Sequence, residues 1–199
     1  MKMIKQNKIL IILIIGILTL NSCSLYRTEK YNLNTETYFS GKIGNINYHT
    51  TYIKTNKFEG VIFPKEYIVL MNSSDKKFTP TIRDIESAEK ILQKGIKEIN
   101  VNRPNQFDNC PVIHRKLKKY KRQYFGYFDT NGNKIIFINC FWDREGIYGF
   151  INKVFYREPV DIKWKTEEKI VLDGCSYYWS IKVNLNTKEL FEFYVNGSA

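Results

Sequence analysis

The sequence predicts an α+β domain in which one amphipathic helix packs on an antiparallel sheet of four or more strands, a cystatin-like or roll-like arrangement. Three observations predict it. Ile82, Ile85, Ala88, Leu92, Ile96 and Ile99 recur in steps of three and four, the stripe of a helix with one buried face. Residues 123–128 and 134–142 are apolar and aromatic runs flanking Asp129-Thr130-Asn131-Gly132-Asn133, a hairpin turn. Residues 176–184 and 190–195 repeat that pattern around Asn184-Leu185-Asn186-Thr187-Lys188.

Each element has its own local reasons. Residues 46–54 alternate loosely and are rich in Tyr and Thr, as strands are. Tyr67-Ile68-Val69-Leu70 is a short apolar run suited to a buried strand, and Asn72-Ser73-Ser74-Asp75 breaks it as a loop. Pro80 suits a first helical turn, and Thr81 with Asp84 three residues on forms a capping box with a shortened acid. Arg83, Glu86, Lys90, Lys94 and Lys97 take the outer helix face, and the helix ends near Asn100, before Pro104. Residues 102–111 read as loop. Ile135 to Trp142 is apolar on both faces and belongs at the sheet's centre. Residues 143–168 are mixed, with a break at Glu158-Pro159. In the closing hairpin Tyr177, Trp179, Ile181 and Val183 share one face, and Phe191, Phe193 and Val195 share the face that meets them.

The N-terminus carries Lys2, Lys5 and Lys8 without an acid, then an Ile- and Leu-rich run from Ile9 to Leu20. That is a secretory signal peptide, and the run is shorter than the roughly 17–25 residues of a spanning helix. Leu20-Asn21-Ser22-Cys23 closes it as a bacterial lipoprotein signal does, which implies a lipid on Cys23. Several acyl chains hold a protein at a membrane permanently. Ser24, where an Asp would resemble an inner-membrane retention signal, favours the outer membrane. The expected organisation is signal peptide 1–22, lipidated Cys23 and tether 23–37, and one domain over 38–199.

Removing the signal leaves 28 basic against 20 acidic residues, a net charge of +8. Such a balance suits an anionic partner as well as a solvated lysine-rich surface. The densest basic run supplies the candidate contact residues Arg115, Lys116, Lys118, Lys119, Lys121 and Arg122, with Tyr120 and Tyr124 placed to stack on a sugar or a base. The competing reading is an edge strand guarded by lysines. Besides Cys23 there are Cys110, Cys140 and Cys175, an odd number that permits one intramolecular bridge; Cys140 with Cys175 is a candidate pair, and three free thiols the alternative.

Signatures of catalysis are missing. The chain has no G-x-S-x-G, H-E-x-x-H, Walker A or dinucleotide fingerprint, and its two histidines, His49 and His114, make a histidine metal site unexpected. Cys110 and His114 are close in sequence, which does not make them a nucleophile and base. Asp129-x-Asn131-x-Asn133 starts like a calcium loop, but Lys134 replaces the required Gly and Cys140 the required Glu.

Phe78-Thr79-Pro80-Thr81 before Ile85, Ala88-Glu89 and Leu92 resembles one element of a group of uncharacterised Bacteroidetes lipoproteins. So do Cys110-Pro111-Val112-Ile113-His114 leading to Tyr120, Arg122-Gln123-Tyr124 and Gly126, the Ile138-Asn139-Cys140-Phe141 run, Asp173-Gly174, and Asn196-Gly197. Cys175 stands at the group's usual second Gly. The resemblance implies a location and a fold, with no activity, cofactor or catalytic residue to carry over. The expectation is therefore a lipid-anchored, non-enzymatic binding or assembly module of the cell envelope, without cofactor or metal. Its partners would be membrane lipid through Cys23 and an envelope protein or anionic glycan, with nucleic acid disfavoured. The alternatives are an inhibitor of a hydrolase or protease, and an enzyme using Cys110 or His114.

Overall fold

Strand patterns spread over 160 residues condense into one sheet. The computed structural model describes residues 35–67, 76–107, 109–142 and 162–197, all within one compact unit. Of the expected strand at 67–70, Tyr67 lies in a turn, its N–H donating to Pro64 O at 3.0 Å; residues 68–70, the loop 72–75, the break at 158–159, the signal peptide and Cys23 lie outside the described residues.

Among the described residues the fold is α+β: an eight-stranded, mostly antiparallel sheet with two helices. In chain order the strands are β1 (Thr35–Ile43), β2 (Ile46–Lys54), β3 (Glu59–Ile62), β4 (Lys77–Phe78), β5 (Lys121–Phe128), β6 (Lys134–Phe141), β7 (Tyr178–Asn184) and β8 (Leu190–Val195). Their order across the sheet is β1-β2-β3-β5-β6-β7-β8, with β4 paired to the far half of β5. Among the described strands β3 and β5 alone run parallel, Glu59 lying opposite Lys121. β1 starts at Thr35, so the ordered domain takes in the last three residues assigned to the tether.

Helix α1 (Ile82–Ile99) begins as its sequence dictates. Thr81 Oγ1 accepts from Asp84 N at 3.2 Å, and Asp84 Oδ2 accepts from Thr81 N at 2.9 Å. Ile85, Ala88, Leu92 and Ile96 are buried against the sheet face formed by Tyr124, Ile136, Ile138, Trp179, Ile181 and Val183. Glu89 lies buried among them. The second sheet face carries its own cluster, Tyr48, Val61, Phe63, Tyr67, Phe125, Tyr127, Ile135, Phe137 and Phe141, capped by Trp164. Side chains reach up from this face to fasten the segment around Trp164. Gln123 Nε2 donates to the carbonyls of Trp164 and Glu167, each at 2.7 Å, Thr50 Oγ1 donates to Lys165 O at 2.6 Å, and Asn139 Nδ2 donates to Lys169 O at 2.8 Å.

Two sequence expectations change here. β5 is an inner strand with neighbours on both sides, so it is no guarded edge. In the closing hairpin the register shifts between Ser180 and Lys182, and Glu192 takes a φ of +46°. Phe191 therefore lies opposite Lys182 on the second face, while Val195 stays opposite Trp179 on the helix face. The bulge is what separates Phe191 from the set it was expected to join.

Candidate functional site

The basic run does not form a strand. After Cys110-Pro111, residues Ile113–Lys116 make the short helix α2, Leu117–Lys119 a 3₁₀ turn, and only at Lys121 does the backbone become extended. The two turns display Arg115, Lys116, Lys118 and Lys119 to solvent. Together with Lys57, Gln93, His114 and Leu117 they frame a shallow cleft of about 490 Å³. Among the described residues no carboxylate pairs with these four cations.

Strand alternation removes the other two cations from this patch. Lys121 faces the second side of the sheet, its ammonium 5.0 Å from the Trp164 ring centre. Arg122 points the other way, beneath α1, and is 1 % exposed. Its Nε lies 2.7 Å from Glu89 Oε1, and Glu89 is 0 % exposed. Tyr124 Oη donates to the same carboxylate oxygen at 2.9 Å. Burial works against the guanidinium's charge, yet Glu89 overrides it and holds the Arg122 pKa above its usual value. Arg122 thus lines only the floor of the cleft, with its charge already engaged by Glu89. Its Nη1 donates to Tyr120 O at 2.8 Å and its Nη2 to Leu117 O at 3.1 Å, so it clamps the basic turn from below. Tyr120 and Tyr124 are buried too and unavailable for stacking on a ligand; Tyr120 Oη donates to Ser176 O at 2.7 Å.

The bridge also differs from the candidate pair. Cys110 joins Cys175, and Cys140 is a buried free thiol. Cys140 projects from β6 under the helix, opposite Arg122, whereas Cys175 sits in the turn before β7, where the loop carrying Cys110 passes. Burial pushes the Cys140 thiol far up. With Cys110 oxidised, the Cys110–His114 pair has no thiolate nucleophile. His114 serves the end of α1: Asn100 Nδ2 lies 3.1 Å from its Nδ1, and the Asn100 and Gln106 amides hydrogen-bond each other at 2.9 and 2.6 Å. Burial, then Arg103, Arg115 and Lys97, lower the His114 pKa from its usual value.

No protein family, curated protein or solved structure matches the chain.

Asp129 is spent on its own turn, Oδ1 accepting from Asn131 N at 2.9 Å and Asn133 N at 2.7 Å, with Gly132 at φ +79°. Among the described residues no three His, Cys, Asp or Glu side chains gather where they would hold a metal, and no helix is long and apolar enough to cross a membrane. On the second sheet face Tyr67, Phe125, Tyr127, Phe137 and Tyr194 line a trough of about 390 Å³. Lys182 crosses it to Glu192 at 2.5 Å. Glu168 lies nearby, its backbone N–H donating to Tyr67 Oη at 2.9 Å, and burial pushes its carboxyl up to about 7 against the opposing pull of Lys77. Sequence reasoning passed over Glu89 and Glu168. Glu89 had a visible signal, an acid placed four residues after Ile85 and three before Leu92, inside the apolar stripe. Glu168 had none, since its burial depends on the distant Tyr67.

Proposed function

We propose that this chain is a lipid-anchored, non-catalytic binding module of the bacterial cell envelope that grips an anionic partner through the basic turns at 113–119. The observation that carries the proposal is the clamp beneath those turns. A buried ion pair, Arg122 with Glu89, holds the carbonyls of Leu117 and Tyr120, so four cations that no carboxylate among the described residues neutralises stand on a fixed backbone. Cations presented in a fixed array lose little entropy on binding and recognise anions by geometry as well as by charge. The lipobox at Leu20–Cys23 and the resemblance to envelope lipoproteins support the location. The long helix lying across one sheet face supports a cystatin-like or roll-like arrangement.

The test uses the full lipidated chain in detergent, loaded on immobilised heparin as a polyanion probe. Retention is expected to fall with added salt, and Lys118→Gln/Lys119→Gln is expected to elute at lower salt. Retention that ignores salt, or an unmoved elution of the variant, refutes the proposal.

A further inference from the structure

We infer that the basic end of the sheet is a docking face for the anionic lipid headgroups of the membrane that holds the chain. This rests on the anchored, anion-binding reading above and names the source of the anion.

Topology makes the first argument. Thr35, where the chain joins the sheet, pairs with Lys54 at the end of β2. The next turn carries Lys57 and leads into β3, whose first residue, Glu59, lies opposite Lys121. The basic turns at 113–119 immediately precede Lys121. The end of the sheet that receives the chain from Cys23 is therefore the end that bears the cations. Twelve residue steps separate Cys23 from Thr35, a reach of at most about 43 Å at full extension.

Apolar tips make the second argument. At this same end Val101 is 72 % exposed and Phe107 67 % exposed, both on the loop between α1 and α2. That loop is fastened. Cys110 is bonded to Cys175, Asn105 Nδ2 donates to Asn196 O at 2.9 Å, and Tyr177 Oη donates to Asn109 O at 3.0 Å. Arg103 lies between the two apolar residues in sequence and is exposed. Apolar side chains held in water among cations have the composition of a surface that inserts into an anionic bilayer interface. A glycan can stack on Phe107 but offers no apolar interior to take in Val101 beside it, which is why the observations favour lipid.

The experiment places the full lipidated chain in phosphatidylcholine vesicles with and without phosphatidylglycerol and follows amide hydrogen exchange. Slower exchange at 101–107 and 113–119, confined to the vesicles with phosphatidylglycerol, is expected. Each cation near such a surface strengthens association about fivefold, so Lys118→Gln/Lys119→Gln is expected to weaken docking about 25-fold. Phe107→Ser is expected to weaken docking while leaving elution from heparin unmoved, a contrast that a merely structural role would not produce. Equal exchange on both vesicle types with salt-sensitive heparin retention intact overturns the lipid assignment and leaves anion binding standing, with a glycan as the ligand. Loss of both signals removes the two readings together.

Discussion

Glu89→Gln tests the load on the buried pair most directly. The substitution keeps the side chain's size and an oxygen for Tyr124 Oη, but leaves Arg122 ionised at 1 % exposure without a counter-charge. Breaking a buried pair on one side costs about 3–5 kcal/mol, a large part of the roughly 5–15 kcal/mol by which a domain is stable. Arg122→Met is expected to cost as much, since it strands the Glu89 carboxylate and also removes the donors to Leu117 O and Tyr120 O. Glu89→Leu/Arg122→Met strands neither charge. What remains lost are three hydrogen bonds, to Leu117 O, Tyr120 O and from Tyr124 Oη, at about 1 kcal/mol each. The double variant is therefore expected to fall short of the sum of the single Glu89→Leu and Arg122→Met losses by at least about 2 kcal/mol. Urea unfolding followed by tryptophan fluorescence, with the disulfide intact, measures all of these, because Trp164 and Trp179 are buried in opposite faces of the sheet. Singles that add to within about 0.5 kcal/mol of the double would show that the two groups are independent and refute the clamp.

Three further outcomes follow from the structure. Glu168 has a folded pKa raised from 4.5 to about 7, so the folded state binds more protons than the unfolded one, and its term lowers stability as pH rises across that window; the full linkage is about 3 kcal/mol, about 2 after allowing for the group's solvent contact. Glu168→Gln should flatten the decline between pH 4.5 and 7 and raise the urea midpoint above pH 7, whereas His114, whose pKa is lowered, contributes in the opposite sense and is common to both proteins. Cys140 should resist iodoacetamide in the native protein and react only on unfolding, and a non-reducing peptide map should recover Cys110 linked to Cys175; native alkylation of Cys140 would contradict its burial. Replacing both Cys110 and Cys175 by Ala should lower stability by about 4 kcal/mol for a bridge 65 residues apart, read as a drop in urea midpoint on the same scale.

Much of the fold was legible where periodicity and punctuation agree. The Thr81–Asp84 capping box and the stripe from Ile85 to Ile96 placed α1, and Asn131-Gly132 placed the β5–β6 hairpin. β3 was missed because four residues, Glu59 to Ile62, are too few to show a period. The basic run misled for a different reason. Its lysines were read with the strand that follows, although α2 and the 3₁₀ turn intervene, so only four of the six candidate cations share a surface. Arg122 shows the cost of reading charge as exposure: alternation from Tyr124 and Gly126 already places it on the helix face, where Glu89 waits. The Cys110–Cys175 bridge depends on which loop passes the start of β7, a long-range fact that spacing along the chain does not encode.

The pairing of β1 with β2 has a mechanical consequence. A load delivered through the chain ahead of Thr35 pulls β1 along its own axis, away from Ile43, and meets a ladder of nine paired residues from Thr35↔Lys54 to Ile43↔Ile46. That ladder is loaded in shear, so its hydrogen bonds resist together and do not open one by one. A partner held at 113–119 would pull from the same end of the sheet, so tension between the two attachments runs across β1, β2, β3 and β5 and opens the ladder from Thr35↔Lys54 first. The sheet therefore resists a load along β1 far better than one drawn between its two attachments, and β1 is the strand that yields first.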